Sequence, residues 1–341
     1  MRTHLSITAH AAYHDLLLSL KDDVASDIRG TPTPVRRGEK TFWYDSYRVG
    51  SDVRKTYIGA DTPQLRARLE RFAEASANRQ ASQSHRARLI RILRAEGLSN
   101  VGAATGSLLN GMQKAGVFRL GGTIVGTQAF RLYEGELGIR YQFDQLAQTN
   151  DLDIASFERL SLALDDVVSE PLQKVLGDFS FEPMPSLDQD KAWRWRQTRN
   201  ELLVEFLTPS FDATEGLKPL AALGVHARSL HHLNFLIAGP IDAAVTYRSG
   251  VLVQIPRPER FAIHKLIVAD RRRDGPDALK AKKDRAQAAF LIDILAQDRP
   301  DDLAEAYRDA MSRGPRWRER IAATLAREPE AKARLADAGI K

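Results

Sequence analysis

Asp151 and Asp153 flank Leu152 in the run Thr149-Asn150-Asp151-Leu152-Asp153-Ile154. Side chains alternate along a strand, so the two carboxylates share one face while Leu152 and Ile154 share the other. Such a strand needs a core behind it and concentrates negative charge in front of it. Two adjacent carboxylates repel, and a cation between them removes that cost. Hard divalent ions such as Mg²⁺ are held by one or two carboxylates together with substrate phosphates. Earlier in the chain, Phe118-Arg119-Leu120-Gly121-Gly122-Thr123 reads as a strand that runs into two glycines. Gly121 and Gly122 allow close backbone approach, and a helix N-terminus after them can hold an anion. A phosphate cradle combined with metal-binding carboxylates is the apparatus of phosphoryl or nucleotidyl transfer.

Glu205 lies in a second apolar strand, Leu202-Leu203-Val204-Glu205-Phe206-Leu207. A lone carboxylate in such a strand is costly unless it is paired or bound to a metal. The order of Gly121-Gly122 and then Asp151-Leu152-Asp153 on a later strand resembles the signature of the nucleotidyltransferase superfamily, which includes DNA polymerase beta. Pro258 to Leu266 resembles the lysine motif of the abortive-infection, AbiEii-type branch, and Arg271 to Lys283-Asp284 resembles its basic segment. The resemblance covers roughly residues 100 to 295. It implies an α/β (α+β) fold with a mixed sheet and a helical C-terminal region, and the residues before it read as an appended N-terminal helix and β-hairpin module. It also implies Asp151, Asp153 and Glu205 as catalytic residues and ligands of Mg²⁺ or Mn²⁺. Gly121, Gly122, Thr123 and Lys265 would bind the nucleotide, with Asp284 as a further candidate. The gap between the glycines and the aspartates is longer than is usual in the superfamily. Thr123 stands where many members have serine or alanine.

The implied substrate is a nucleoside triphosphate such as ATP, and the acceptor is tRNA or another RNA, a protein or a small molecule. A toxin paired with an antitoxin protein would use the same chemistry. The rival expectation is a catalytically silent transferase fold that binds nucleic acid. The net charge of +6 and a pI near 9.5 favour an anionic partner. There is no cysteine, which excludes disulfides and cysteine-ligated zinc. Met1 to Leu20 lacks the pattern of a signal peptide, and no stretch approaches the roughly 18 apolar residues of a membrane span. A cytoplasmic protein with no membrane partner is expected.

The chain of 341 residues has room for two or three domains. The expected division is a module over 1–84, a nucleotidyltransferase core over 85–210, and a mostly helical region over 211–341 that completes the site. Residues 5 to 28 read as a helix and Gly30 to Pro34 as a linker. Phe42–Tyr47 and Val53–Ile58 read as a hairpin turning at Gly50-Ser51-Asp52. Thr62-Pro63 caps a helix, Ala75 to Ser84 reads as a polar linker, and helices follow near 85–96 and 103–115. Strands are expected near 117–122, 150–155, 192–197, 201–207 and 251–255, with helices from about 258 to 340. The hairpin mixes aromatics with Arg48, Arg54 and Lys55, and Arg271-Arg272-Arg273 precedes Lys280, Lys282 and Lys283. Both are candidate contacts to nucleic acid.

Overall fold

The computed structural model describes residues 3–24, 30–38, 40–49, 52–98, 101–141, 151–157, 167–168, 170–185, 191–199 and 201–340. Thr149, Asn150, Asn200 and the turn residues Gly50 and Ser51 lie outside them. The chain forms two compact units. One comprises Leu5–Gly106 with Ala244–Leu252, and the other comprises Met1–His4, Ser107–Ala243 and Val253–Lys341.

The first unit begins with helix α1 (Ile7–Val24). A three-stranded antiparallel sheet follows: β1 (Thr31–Arg37), β2 (Lys40–Val49) and β3 (Asp52–Ala60). The expected linker at Gly30 to Pro34 is therefore the start of a strand. Pro32 and Pro34 fit there because β1 is an edge strand, where a missing N–H costs no ladder bond. Helix α2 (Pro63–Ala95) is continuous, with the Thr62 hydroxyl accepting from Leu65 N–H at its start. The expected linker at Ala75 to Ser84 is its middle. That stretch consists mainly of alanine, serine and glutamine and contains neither glycine nor proline, so nothing in it breaks a helix. Tyr13, Leu16 and Leu20 of α1 pack with Leu89, Ile90 and Leu93 of α2 and with Ala244. The Tyr13 hydroxyl accepts from Ala244 N–H at 3.2 Å.

Helix α3 (Ala103–Ala115) leads into the second unit. There β4 (Thr123–Val125) runs straight into α4 (Gly126–Leu137), and β5 (Asp151–Ala155) follows. Next come α5 (Leu172–Asp178), β6 (Phe181–Pro183), β7 (Arg194–Gln197), β8 (Leu203–Pro209), β9 (Leu217–Leu220) and β10 (Val225–Leu230). They build one mixed sheet in the order β9-β10-β8-β5-β4, with β7 also on β8 and β6 on β7. β8 runs parallel to both β5 and β10, and its other pairings are antiparallel. The sheet therefore continues past residue 210, and residue 84 lies inside α2.

After the short helix α6 (Leu233–Leu236), β11 (Ile241–Val245) and β12 (Val251–Ile255) form a separate two-stranded sheet. The expected strand at 251–255 is present but does not join the main sheet. The helices α7 (Pro258–Arg271), α8 (Ala278–Asp298), α9 (Pro300–Ser312), α10 (Pro315–Leu325) and α11 (Pro329–Asp337) complete the chain. Four of the five open on proline, whose fixed φ suits the first helical turn. No helix among the described residues is long and apolar enough to cross a membrane.

Aromatic packing docks α4 onto this helical region. Phe130 stacks on Tyr141 at 4.5 Å, and Tyr133 meets Phe261 of α7 edge-on at 5.4 Å. The buried Tyr133 hydroxyl donates to Pro256 O at 2.9 Å. Tyr141 N–H donates to Glu134 Oε1 at 2.8 Å, which satisfies a carboxylate that is only 2% exposed.

The continuity of α2 is testable. Ser82→Pro should lower stability by about 3 kcal/mol, the cost of proline inside a helix. Urea denaturation followed at a helical signal measures it. A neutral effect would mean that the helix is interrupted there.

Candidate active site

The register of two parallel strands assembles the carboxylates. Leu203 is opposite Asp151, Val204 opposite Leu152, Glu205 opposite Asp153 and Phe206 opposite Ile154. Residues opposite one another point to the same face of a sheet. Leu152, Ile154, Val204 and Phe206 are all completely buried, which fixes the other face toward the core. Asp151, Asp153 and Glu205 thus come to one face, as the sequence anticipates.

On the opposite side of Asp153 stands Val125, the last residue of β4. Gly126 then turns the chain into α4 with φ +66, and a Cβ at this position would overlap Asp153 Oδ2. Only glycine allows both the turn and the approach of the carboxylate. The junction beside the aspartates is therefore Gly126-Thr127; the sequence reading weighed Thr127 as a phosphate contact but passed over Gly126. Its signal was present: Thr123-Ile124-Val125 is a run of three β-branched residues, and a glycine directly follows it before a helical repeat.

Gly121 and Gly122 do not end a strand beside the carboxylates. They close a turn after α3, where Gly121 N–H donates to Phe118 O at 3.1 Å and Gly122 N–H donates to Val117 O at 2.9 Å. A Cβ on Gly122 would meet Val117 Cγ1 at 2.6 Å and Val117 O at 2.8 Å. These glycines serve the tight packing of their own turn. Thr123 is 1% exposed, and its hydroxyl donates to Gly121 O at 3.2 Å. The expected strand at 117–122 is likewise displaced to Thr123–Val125, because this turn occupies those residues.

Lys265 lies two turns inside α7 rather than at its start. It is buried, and its ammonium donates to Asp284 Oδ1 of α8. Asp284 is 2% exposed and also accepts from Arg272 Nη1 at 2.7 Å. Sequence reasoning placed Lys265 on a phosphate and held Asp284 as a further candidate. The structure joins the two, with Arg272 as the third member. The other arginines of the run are engaged as well. Arg271 pairs with Glu215 at 2.8 Å, and Arg273 pairs with Asp274 at 2.7 Å and Asp270 at 3.3 Å. Asp270 and Asp274, which border the run in the sequence, and Glu215 and Asp284 from elsewhere largely neutralise the patch in place.

The electrostatics centre on Asp153. Its carboxyl is pushed up to about 7, first by burial and then by the charges of Glu205 and Asp151, with Lys265 and Arg272 opposing. The Lys283 ammonium is pulled below its usual range by burial and by Lys265, while Asp284, Asp151 and Asp153 act to hold it charged. Lys283 therefore belongs to the same electrostatic cluster. Glu205 is opposite Arg194 of β7 in register and forms an ion pair with it at 2.7 Å. Arg194 sits between Trp193 and Trp195, and nothing in that local sequence marked it as a partner of Glu205.

Among the described residues, no three carboxylate or imidazole side chains already stand gathered as a metal-ligand group. The donor set nevertheless fits a hard divalent ion: it is all oxygen, it shares one strand face, and burial followed by mutual repulsion, which a cation would relieve, favours the neutral form of Asp153.

Two predictions follow from this geometry. The Asp153 carboxyl titrates from the ordinary 3.8 when unfolded and at about 7 when folded. The fold therefore binds that proton more tightly, and the stability it contributes is complete below the unfolded value and lost as pH rises through the folded one. Without divalent ions, Asp153→Asn should flatten the fall of Tm over this range and raise Tm above its upper end. Thermal melts across the range decide it, and parallel curves for the two proteins would refute the assignment. Gly126→Ala should lower stability by about 1–3 kcal/mol through its left-handed backbone. It should also displace Asp153, whereas Gly177→Ala, where a Cβ meets nothing within 4 Å, should be neutral or stabilising.

A family model described as nucleotidyltransferase matches residues 103–312. The match spans α3 to α9 and contains every candidate residue above. No curated protein and no solved structure matches the chain significantly. With well over half of its length matched, and with its carboxylates set on adjacent strands of a mixed sheet, the chain belongs to the nucleotidyltransferase family.

Proposed function

We propose that this protein transfers a nucleoside monophosphate from a nucleoside triphosphate to a hydroxyl acceptor in a reaction that depends on Mg²⁺ or Mn²⁺. The observation that carries this reading is the register that sets Glu205 beside Asp153, on the strand face that also holds Asp151. Asp151, Asp153 and Glu205 would hold the ion, which neutralises triphosphate charge and activates the acceptor hydroxyl when bound. Gly126 and Thr127 offer backbone at the N-terminus of α4 to a phosphate group, as helix N-termini do. Lys283, and Lys265 with Arg272 behind it, set positive charge against the carboxylates and the triphosphate. The acceptor oxygen forms a bond to the α-phosphorus as the bond to the leaving pyrophosphate breaks. A carboxylate of the trio takes the hydroxyl proton.

Within this reading, Lys265 acts through the buried cluster with Asp284. Kinship with the abortive-infection branch rests on these two residues and carries two finer proposals: tRNA or another RNA as acceptor, and a toxin role with an antitoxin partner. One observation favours a second reading, a catalytically silent fold that binds nucleic acid: the Glu205 carboxylate is already held by Arg194.

Incubation with each labelled nucleoside triphosphate, Mg²⁺ and total RNA distinguishes the two. Label should appear on an acceptor with wild type. Asp151→Asn and Asp153→Asn should reduce the rate on the order of a hundredfold or more, the scale of losing a preorganised charge at a reacting centre. Arg194→Gln should leave Glu205 free for the ion and lower the Mg²⁺ concentration for half-maximal rate. Absence of label on RNA, protein and small acceptors alike would favour the silent fold.

A further inference from the structure

The three-stranded sheet of the first unit has two unlike faces, and its register defines them. One face is used within the unit. Trp43 Nε1 donates to Asp61 Oδ1 at 3.0 Å, Gly30 N–H donates to Asp45 Oδ1 at 2.8 Å, and Leu65 of α2 lies against Gly59. On the other face Phe42, Tyr44 and Tyr57 stand together. Tyr44 meets Tyr57 edge-on with ring centroids 5.5 Å apart, and Phe42 meets Tyr57 at 6.3 Å. Tyr57 is 54% exposed, and Val53 on the same face is 60% exposed. Arg37 and Lys40 are opposite one another at one end of this face, and Lys55 is opposite Ser46 further along it. All three basic residues are exposed. Among the described residues, the register brings no acidic residue to this face, since Asp45 and Asp52 take the opposite parity.

We propose that this face binds a single nucleic-acid strand, with bases stacked on Phe42, Tyr44 and Tyr57 and phosphates on Arg37, Lys40 and Lys55. Aromatic platforms with flanking bases hold single strands because every unpaired base offers a π-face and every nucleotide a phosphate. A duplex hides those π-faces within its own stack. A protein partner fits less well, because protein interface cores are depleted of charge and this face has basic residues with no acidic balance. The arginine run at 271–273 has its own carboxylates and is a weaker candidate for the polyanion. Naming the strand as the acceptor rests on the transferase reading; the binding itself needs no catalysis.

The test uses the full chain without nucleotide or divalent ion. Fluorescence anisotropy follows labelled twelve-nucleotide oligo(U), oligo(dT) and a duplex of equal length across a salt series. Single strands should bind more tightly than the duplex. A preference for oligo(U) identifies RNA as the ligand, and equal affinity identifies a strand binder that ignores the sugar; either supports the face. Tyr57→Phe should preserve binding. Tyr57→Leu keeps an apolar side chain but loses the ring, and should weaken binding on the order of tenfold. The pair Lys40→Ala and Lys55→Ala should reduce the salt slope by roughly 1.4, at about 0.7 per phosphate contact. Tyr57→Leu binding like wild type, a duplex bound as tightly as a single strand, or an unchanged slope would overturn the proposal. Strand binding by wild type and Asp153→Asn alike, with no transfer by either, would sink the transferase reading and leave this face standing. Transfer to a small acceptor by a protein that binds no strand would do the reverse.

Discussion

The pairing of Asp151–Ala155 with Leu203–Pro209 is the constraint on which the rest depends. Behind this parallel pair lie Leu152, Ile154, Val204 and Phe206, all fully buried. In front of it lie three carboxylates. A slip of one residue would turn Glu205 into the core and Val204 out of it, so burial of the apolar set enforces the placement of the acidic set. The hydrophobic effect thus holds together charges that repel one another, and the titration of Asp153 is raised first by its burial and then by those neighbouring charges.

The repulsion is contained by what surrounds the strands. Gly126 lets the chain pass beside Asp153 without a side chain in the way. The helix that starts there is docked through Phe130 and Tyr133 against Tyr141 and Phe261, so its N-terminus has a fixed position. Arg194 meets Glu205 from the next strand. From the helical region, the buried pair of Lys265 and Asp284, with the half-exposed Arg272 on the same carboxylate, supplies opposing charge without presenting a bare cation. Removing one member of such a buried pair leaves an uncompensated charge and costs several kcal/mol, commonly about 3–5. The helices after the sheet are therefore part of the site's electrostatics as well as its packing.

The first unit is organised differently. Its helical core is apolar, built from α1 and the later turns of α2. Its sheet is thin, with one face tied down by Trp43, Asp45 and Gly59 and the other carrying aromatic and basic residues. A small sheet gains little stability from a face left open to water, so the composition of that face points to a role outside the folding of the unit.

The sequence by itself determined the strand carrying Asp151 and Asp153, the second apolar strand with Glu205, the helix at 103–115, and the run of helices after residue 258. Each rests on local information: a period of two, a helical period, or a proline at a first turn. It also pointed to the superfamily through the aspartate strand, although the glycine that meets Asp153 is not one of the pair that the motif order singled out. Tertiary structure decided the rest. Gly121-Gly122 and Gly126 are equally permissive as residues, and only the packing of Val117 on one and Asp153 on the other tells a structural turn from the site's own junction. Lys265 looks like a free cation until α8 brings Asp284 to it across the intervening turn. Arg271 and Arg272 look like part of a basic patch until Glu215 and Asp284 arrive from other elements. Net charge along a chain is a sum over neighbours in sequence, whereas the field at a site is a sum over neighbours in space, and the fold alone supplies the second.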